Sequence, residues 1–236
     1  MERIDKLHIK DYCICQDDKL FCFGTDAVLL YGFMPQNCGR VADLCSGNGA
    51  IALMLLAGQK AYDVTAVELQ EKGCALMKKS AELNACQERL DIVCADICKI
   101  KDFLSGEAFD TVCVNPPYFK KGSGILPAEQ TLAIARHEIK CDIEDVFSAA
   151  SYLLKNEGEF CMVHRTARQA EICEKIHKFG FQITEICRVF STPTQAGELF
   201  LLRAKKTSKN VARKQTTFTV LNQDRSLSEA YKNLLK

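Results

Sequence analysis

The chain has no long apolar run, no excess of one charge and no paired-cysteine spacing, and each absence narrows what it can be. No window approaches about 18 consecutive apolar residues, so a membrane span is not expected. The opening Met1-Glu-Arg-Ile-Asp-Lys6 lacks the apolar core of a secretory leader, and the expectation is a cytoplasmic protein. Basic residues number 31 against 30 acidic ones, so any contact with a polyanion must come from a local basic patch. Fourteen cysteines are present, yet they form no Cys-x-x-Cys and no cysteine/histidine set with zinc spacing, so no metal is expected. Cys94, Cys113, Cys161 and Cys187 sit in apolar strand-like runs and read as reduced core thiols, which suits a reducing compartment. Gly-x-Ser-x-Gly and Walker loops are absent, which leaves serine hydrolases and P-loop nucleotidases without support.

What is there is an alternation of short strands and helices. Residues 12–15 and 20–23 flank the turn-like Gln16-Asp-Asp-Lys19 and predict a hairpin. A short apolar helix over 27–33 follows, stopped by Pro35, with Thr25 or Asp26 as its cap. From residue 40 onward, strands are expected at 40–44, 63–68, 90–94, 109–114 and 158–163. Helices are expected near 51–57, before Asn84, over 143–154 behind an Asp142 cap, and over 167–179; strands near 182–189 and 198–203 close the series. Such alternation predicts an α/β protein with a parallel, doubly wound sheet. In such sheets ligands lie beyond the carboxyl ends of the strands, so the residues after each strand are the ones to inspect.

After the first of these strands stands Asp43-Leu-Cys45-Ser46-Gly47-Asn-Gly49. Its two glycines allow a sharp turn and close approach of a ligand, and the next helix offers unpaired N–H groups. Glu68 ends the second strand and can accept both hydroxyls of a ribose. Asp96 follows the third and can accept from the exocyclic amine of adenine. Together they outline a pocket for an adenosine, although the glycine pair also fits a dinucleotide fingerprint.

After the fourth strand stands Asn115-Pro116-Pro117-Tyr118. Two prolines fix two φ angles and remove two donors, and Asn115 is held extended before them. The stiff turn presents the Asn115 side-chain oxygen and the Pro116 carbonyl as acceptors, to which a planar NH2 can donate both hydrogens. Tyr118 can stack on the attached ring. An aromatic amine is a poor nucleophile, and positive charge grows on its nitrogen when it attacks a methyl sulfonium. Two fixed acceptors stabilise that charge most in the transition state.

These segments, in this order, resemble the class I S-adenosylmethionine-dependent methyltransferases that modify exocyclic amines, over roughly residues 20–205. More narrowly, Phe23-Gly-Thr-Asp-Ala-Val-Leu-Leu30 and Ala135-Arg-His-Glu138 resemble the bacterial tRNA (adenine-N6)-methyltransferases acting on adenosine 37 of a valine tRNA. The resemblance implies a Rossmann-like, seven-stranded sheet whose last strand is antiparallel. It implies S-adenosylmethionine as cofactor, S-adenosylhomocysteine as product and tRNA as substrate; the sequence does not fix the oligomeric state, and a monomer is the expectation. Asp43, Cys45, Ser46, Gly47 and Gly49 would line the methionine part, Glu68 the ribose, Asp96 and Ile97 the adenine, and Thr25 and Asp26 would close over the cofactor. Cys45 departs from the family pattern, which has glycine there. On this reading 1–35 form a hairpin and a cofactor-covering helix, 36–205 the methyltransferase domain, and 206–236 a basic linker and C-terminal helix of the same domain.

Lys120, Lys121 and Arg136 are candidates for holding RNA, as is the basic run 203–214. Solvated loops explain these segments equally well. His164 reads as a structural histidine. Three alternatives stay open: a methyltransferase of a protein glutamine side chain, one of guanine N2 in rRNA, and a dinucleotide-dependent oxidoreductase or nucleotide sensor resting on the glycine pair and Glu68.

Overall fold

The computed structural model describes residues 1–20, 22–118 and 141–235. Lys120, Lys121 and Arg136 lie outside the described residues. Its strands are β1 (Glu2–Lys6), β2 (Cys13–Asp17), β3 (Gly39–Leu44), β4 (Ala61–Glu68), β5 (Leu90–Cys94), β6 (Phe109–Val114), β7 (Leu154–Arg165), β8 (Phe181–Thr192), β9 (Gln195–Lys206) and β10 (Lys214–Thr219). The last eight form one sheet in the order β10-β8-β9-β7-β6-β3-β4-β5. Among the described strands of this sheet only β9 runs against its neighbours, β7 and β8.

The middle strands are apolar on both faces, as buried parallel strands must be. In β3, Val41, Ala42 and Leu44 are wholly buried. One face carries α1 (Thr25–Phe33), α2 (Ala50–Ala57) and α3 (Glu71–Leu83), packed through Leu29, Leu30, Leu53 and Met77. The other carries α4 (Ile143–Leu153), α5 (Gln169–Lys175) and the 3-10 turn Ile97–Asp102, packed through Phe147, Phe160, Phe181 and Phe200. Asp142 starts α4 in a capping box with Asp145, as its position in the sequence suggests. α6 (Glu229–Asn233) lies near the C-terminus with Ser228 as its cap. Among the described residues no helix is long and apolar enough to cross a membrane.

The seven expected strands are β3 to β9, with β9 antiparallel. Three details differ from the sequence reading. An eighth strand, β10, extends the sheet edge parallel to β8, where a basic linker was expected. Its Lys214, Gln215 and Thr217 are exposed, as edge strands tend to be, and that polarity hid it. The N-terminal hairpin pairs β1 with β2, not residues 12–15 with 20–23. β1 is a charged strand, Glu-Arg-Ile-Asp-Lys, with no apolar alternation to reveal it. Neither Thr25 nor Asp26 caps α1; Gly24 occupies that position without a side-chain bond.

β2 has a free edge, and α3 satisfies it. Asn84 Oδ1 accepts from the Cys13 N–H at 2.8 Å, Asn84 Nδ2 donates to the Cys13 carbonyl at 2.7 Å, and Ser80 Oγ accepts from the Cys15 N–H at 2.8 Å. The hairpin is thereby fastened beside the loop that follows β3.

Candidate active site

The register of the sheet sets four functional segments side by side. Leu44 pairs with Val114 on one flank and Val67 on the other, and Glu68 pairs with Cys94. The chain segments leaving these strand ends are therefore, in order, Asn115-Pro116-Pro117-Tyr118, the Cys45–Gly49 loop, Glu68 and Asp96. Adjacent ends lie about 4.8 Å apart in a sheet.

The glycine loop is built on left-handed backbone. Gly47 has φ +61° and Gly49 φ +83°; a β-carbon on Gly47 would meet nothing within 4 Å, whereas one on Gly49 would lie 2.6 Å from Met77 Cγ. Gly47 thus borders open space, and Gly49 lets α3 close against the loop. Cys45, at the position where the resemblance expects glycine, is also left-handed, with φ +55°. The departure falls on backbone that glycine adopts at no cost.

Two buried carboxylates hold this loop. Glu68 Oε2 accepts from the Gly47 N–H and Oε1 from the Gln70 N–H, both at 2.8 Å. Burial raises the Glu68 pKa, and these backbone donors work against the rise. Asp43 is wholly buried; its Oδ2 accepts from Ser46 Oγ at 2.6 Å and its Oδ1 from the Cys113 thiol at 3.5 Å. Burial lifts its pKa to about 6. Asp96 Oδ1 accepts from the Cys98 N–H at 2.9 Å, capping the turn that contains buried Ile97.

The proline turn meets a partner from α1. Asp26 Oδ2 accepts from Asn115 Nδ2 at 3.1 Å and from the Tyr118 hydroxyl at 2.7 Å. That hydroxyl also lies 2.6 Å from Asn115 Oδ1. Burial, with the Asp26 charge beside it, raises the Tyr118 pKa. The Tyr118 ring packs edge-on against His164, with centroids 5.3 Å apart, and the Arg165 guanidinium carbon stands 5.4 Å from its centroid. Arg165 in turn pairs with Glu198. A cleft of about 590 Å³ opens beside Tyr118 and Asp26, bounded by Arg165, Ser191, Gly197 and Tyr231.

The structure thus gathers Asp43, Cys45, Ser46, Gly47, Gly49 and Glu68 at one loop, and Asn115, Tyr118 and Asp26 at the adjacent turn. Thr25, by contrast, is exposed and shares a hydrogen bond with Tyr231. Four residues escaped the sequence reading. Gln16 is buried, and its Oε1 accepts from Asn48 Nδ2 at 2.9 Å and from the Phe23 N–H at 3.0 Å, tying hairpin, glycine loop and the approach to α1 together. Asn48 was visible only as the residue between two glycines. Gly73 sits inside α3, where its backbone abuts the loop; a lone glycine in a helix was the available signal. Arg165, at the end of β7, carried none.

The model of the methyltransferase small domain family matches residues 18–188.

The chain belongs to the methyltransferase small domain family.

A tRNA1(Val) (adenine(37)-N6)-methyltransferase from Aeromonas hydrophila is 31% identical over 174 residues, covering 73% of this chain and 71% of the relative. A protein of the same name from Pectobacterium carotovorum is 24% identical and spans 99% of this chain and 93% of its own length. Among solved structures, a protein from Agrobacterium tumefaciens described as a predicted O-methyltransferase superposes with TM-score 0.69 at 22% identity, covering 89% of this chain and 95% of that one. That likeness concerns the fold. Family and fold imply use of S-adenosylmethionine, and they separate this methyltransferase from the dinucleotide oxidoreductases that share its glycine pair.

Proposed function

We propose that this methyltransferase moves a methyl group from S-adenosylmethionine to N6 of an adenosine in the anticodon loop of tRNA, at position 37 of a valine tRNA, with S-adenosylhomocysteine as the second product. The observation that carries the reading is the pairing of Leu44 with Val114, which sets Asn115 beside the glycine loop. Residues of the site fit the cofactor: Gly47 leaves open space, and Glu68 is a buried carboxylate, held in place by backbone donors, that can accept from vicinal hydroxyls. Glu68 would hold the ribose, Asp96 and Ile97 the adenine, and the loop from Asp43 to Gly49 the methionine part. When bound, the cofactor supplies an electrophilic methyl on sulfur.

The chain's own residues do the remainder. The Asn115 side-chain oxygen and the Pro116 carbonyl take the two hydrogens of the target amine, with Pro116 and Pro117 keeping the turn from relaxing. That grip aims the nitrogen lone pair at the methyl and stabilises the positive charge that develops as N–C forms and C–S breaks. One proton then leaves the methylated nitrogen to water. Tyr118 stacks on the base. The cleft bounded by Arg165, Ser191 and Gly197 receives a nucleotide that has left the stack, which costs least in a single-stranded loop.

The reading is tested by incubating purified chain with S-adenosylmethionine and unmodified valine tRNA, then digesting the RNA for nucleoside mass spectrometry. N6-methyladenosine is expected with wild type and not with Asn115→Ala, while both bind the methyl donor. Methylated guanosine, methylation of a protein glutamine, or equal turnover by the variant would refute it.

A further inference from the structure

Asp26 was expected over the cofactor, yet its carboxylate is pinned elsewhere. Oδ1 accepts from the Ala27 N–H at 2.9 Å, in the first turn of α1, and Oδ2 faces Asn115 Nδ2 and the Tyr118 hydroxyl. The group is 9% exposed, at the wall of the cleft. We infer that Asp26 is a positioning residue that fixes which end of the Asn115 amide meets the acceptor amine, an inference that rests on the function proposed above.

A side-chain amide is nearly symmetric in shape and opposite in chemistry at its two ends. Turned one way, Asn115 offers an oxygen to the incoming NH2; turned the other, it offers hydrogens to hydrogens. A carboxylate only accepts, so it selects the orientation in which Nδ2 points to Asp26 and Oδ1, which here accepts from the Tyr118 hydroxyl, is the end presented to substrate. Neither the prolines nor the backbone of the turn can make that choice, because both orientations fill the same volume.

The same oxygen has a second task. The Tyr118 hydroxyl has one hydrogen and two acceptors within reach, Asn115 Oδ1 at 2.6 Å and Asp26 Oδ2 at 2.7 Å. When an amine takes Asn115 Oδ1, the tyrosine hydrogen turns wholly to Asp26. Tyr118 thus yields its place on Asn115 without becoming a buried, unpaired hydroxyl.

Asp26→Asn tests this. The new amide can donate or accept, so Asn115 is released to take either orientation. A drop in kcat of tenfold or more is expected, with the affinity for S-adenosylmethionine and the KM for tRNA each within twofold of wild type. Unchanged kcat, or a loss of methyl-donor affinity as large as the loss of rate, would overturn the inference; the latter would return Asp26 to the cofactor. A measurement on the wild-type chain needs neither substrate nor a stable variant. The Asn115 side-chain amide, assigned by its absence in Asn115→Asp, should show a nitrogen-15 cross-peak protected from exchange with water. Exchange as fast as that of an exposed amide would also overturn it. Wild type that methylates no tRNA but protects this amide would refute the proposed substrate and leave the role of Asp26 standing.

Discussion

Gly73 of α3 faces the carbonyl of Gly47 so closely that a β-carbon at residue 73 would stand 2.6 Å from that oxygen. Alanine in a helix interior is ordinarily favoured over glycine by about 1 kcal/mol. Here the obstacle is backbone rather than a flexible side chain, so the loop must move. Gly73→Ala is expected to weaken binding of S-adenosylmethionine about tenfold, the effect of roughly 1.4 kcal/mol, without raising the thermal midpoint. Calorimetric titration and a melting curve check both; unchanged affinity with a higher midpoint would mean that the helix does not press on the loop.

Cys45 supplies a second test of the loop. A β-carbon at φ +55° is strained by about 1–2 kcal/mol relative to glycine. Part of that gain is lost on Cys45→Gly, because glycine leaves the unfolded chain more freedom. The glycine variant should be as stable as wild type or more stable by up to about 1 kcal/mol. Cys45→Val, β-branched at the same backbone angle, should be clearly less stable. Urea denaturation of the three chains gives the order.

Two buried groups near the site titrate in opposite senses. His164 is wholly buried, its Nδ1 accepting from the Arg165 N–H, and burial followed by the Arg168 charge lowers its pKa from 6.5 to about 3. Between those values the unfolded chain binds a proton that the folded chain refuses, so this contribution to stability falls as pH falls. Asp43, raised from 3.8 to about 6, holds a proton in the fold that the unfolded chain releases, so its contribution falls as pH rises through that window. Relative to wild type, His164→Phe should therefore gain stability on acidification below about pH 6, by at most about 1.4 kcal/mol per pH unit. Asp43→Asn should gain on alkalinisation between about pH 4 and 6. Denaturation midpoints across pH 4–7 check the signs; parallel curves for variants and wild type would contradict them.

The strand ends were legible because central parallel strands must be apolar; Asp43 and Glu68 stood out as carboxylates in the last positions of β3 and β4, and Asp96 and Asn115 as polar residues just beyond β5 and β6. Asn115-Pro116-Pro117-Tyr118 was legible because its stiffness is local. The partner of Asn115 was not. Asp26 precedes it by 89 residues, and only the packing of α1 on the sheet brings them together. Gln16 looked like a turn residue because β1, its true neighbour, is too charged to show a strand pattern. β10 was hidden by the same polarity. What sequence periodicity cannot express is which distant polar group satisfies which, and in this molecule that is where the site acquires its orientation.

The central claim is that the turn at residue 115 faces the reactive sulfur across the end of the sheet. A crystal structure with S-adenosylhomocysteine measures this directly. The account predicts ribose hydroxyls on Glu68, the adenine toward Asp96 and Ile97, and the sulfur on the side of the loop nearest Asn115, with the turn open to the cleft beside Arg165. A sulfur on the Asp96 side of the loop, or an Asn115 closed off from that cleft, would contradict it.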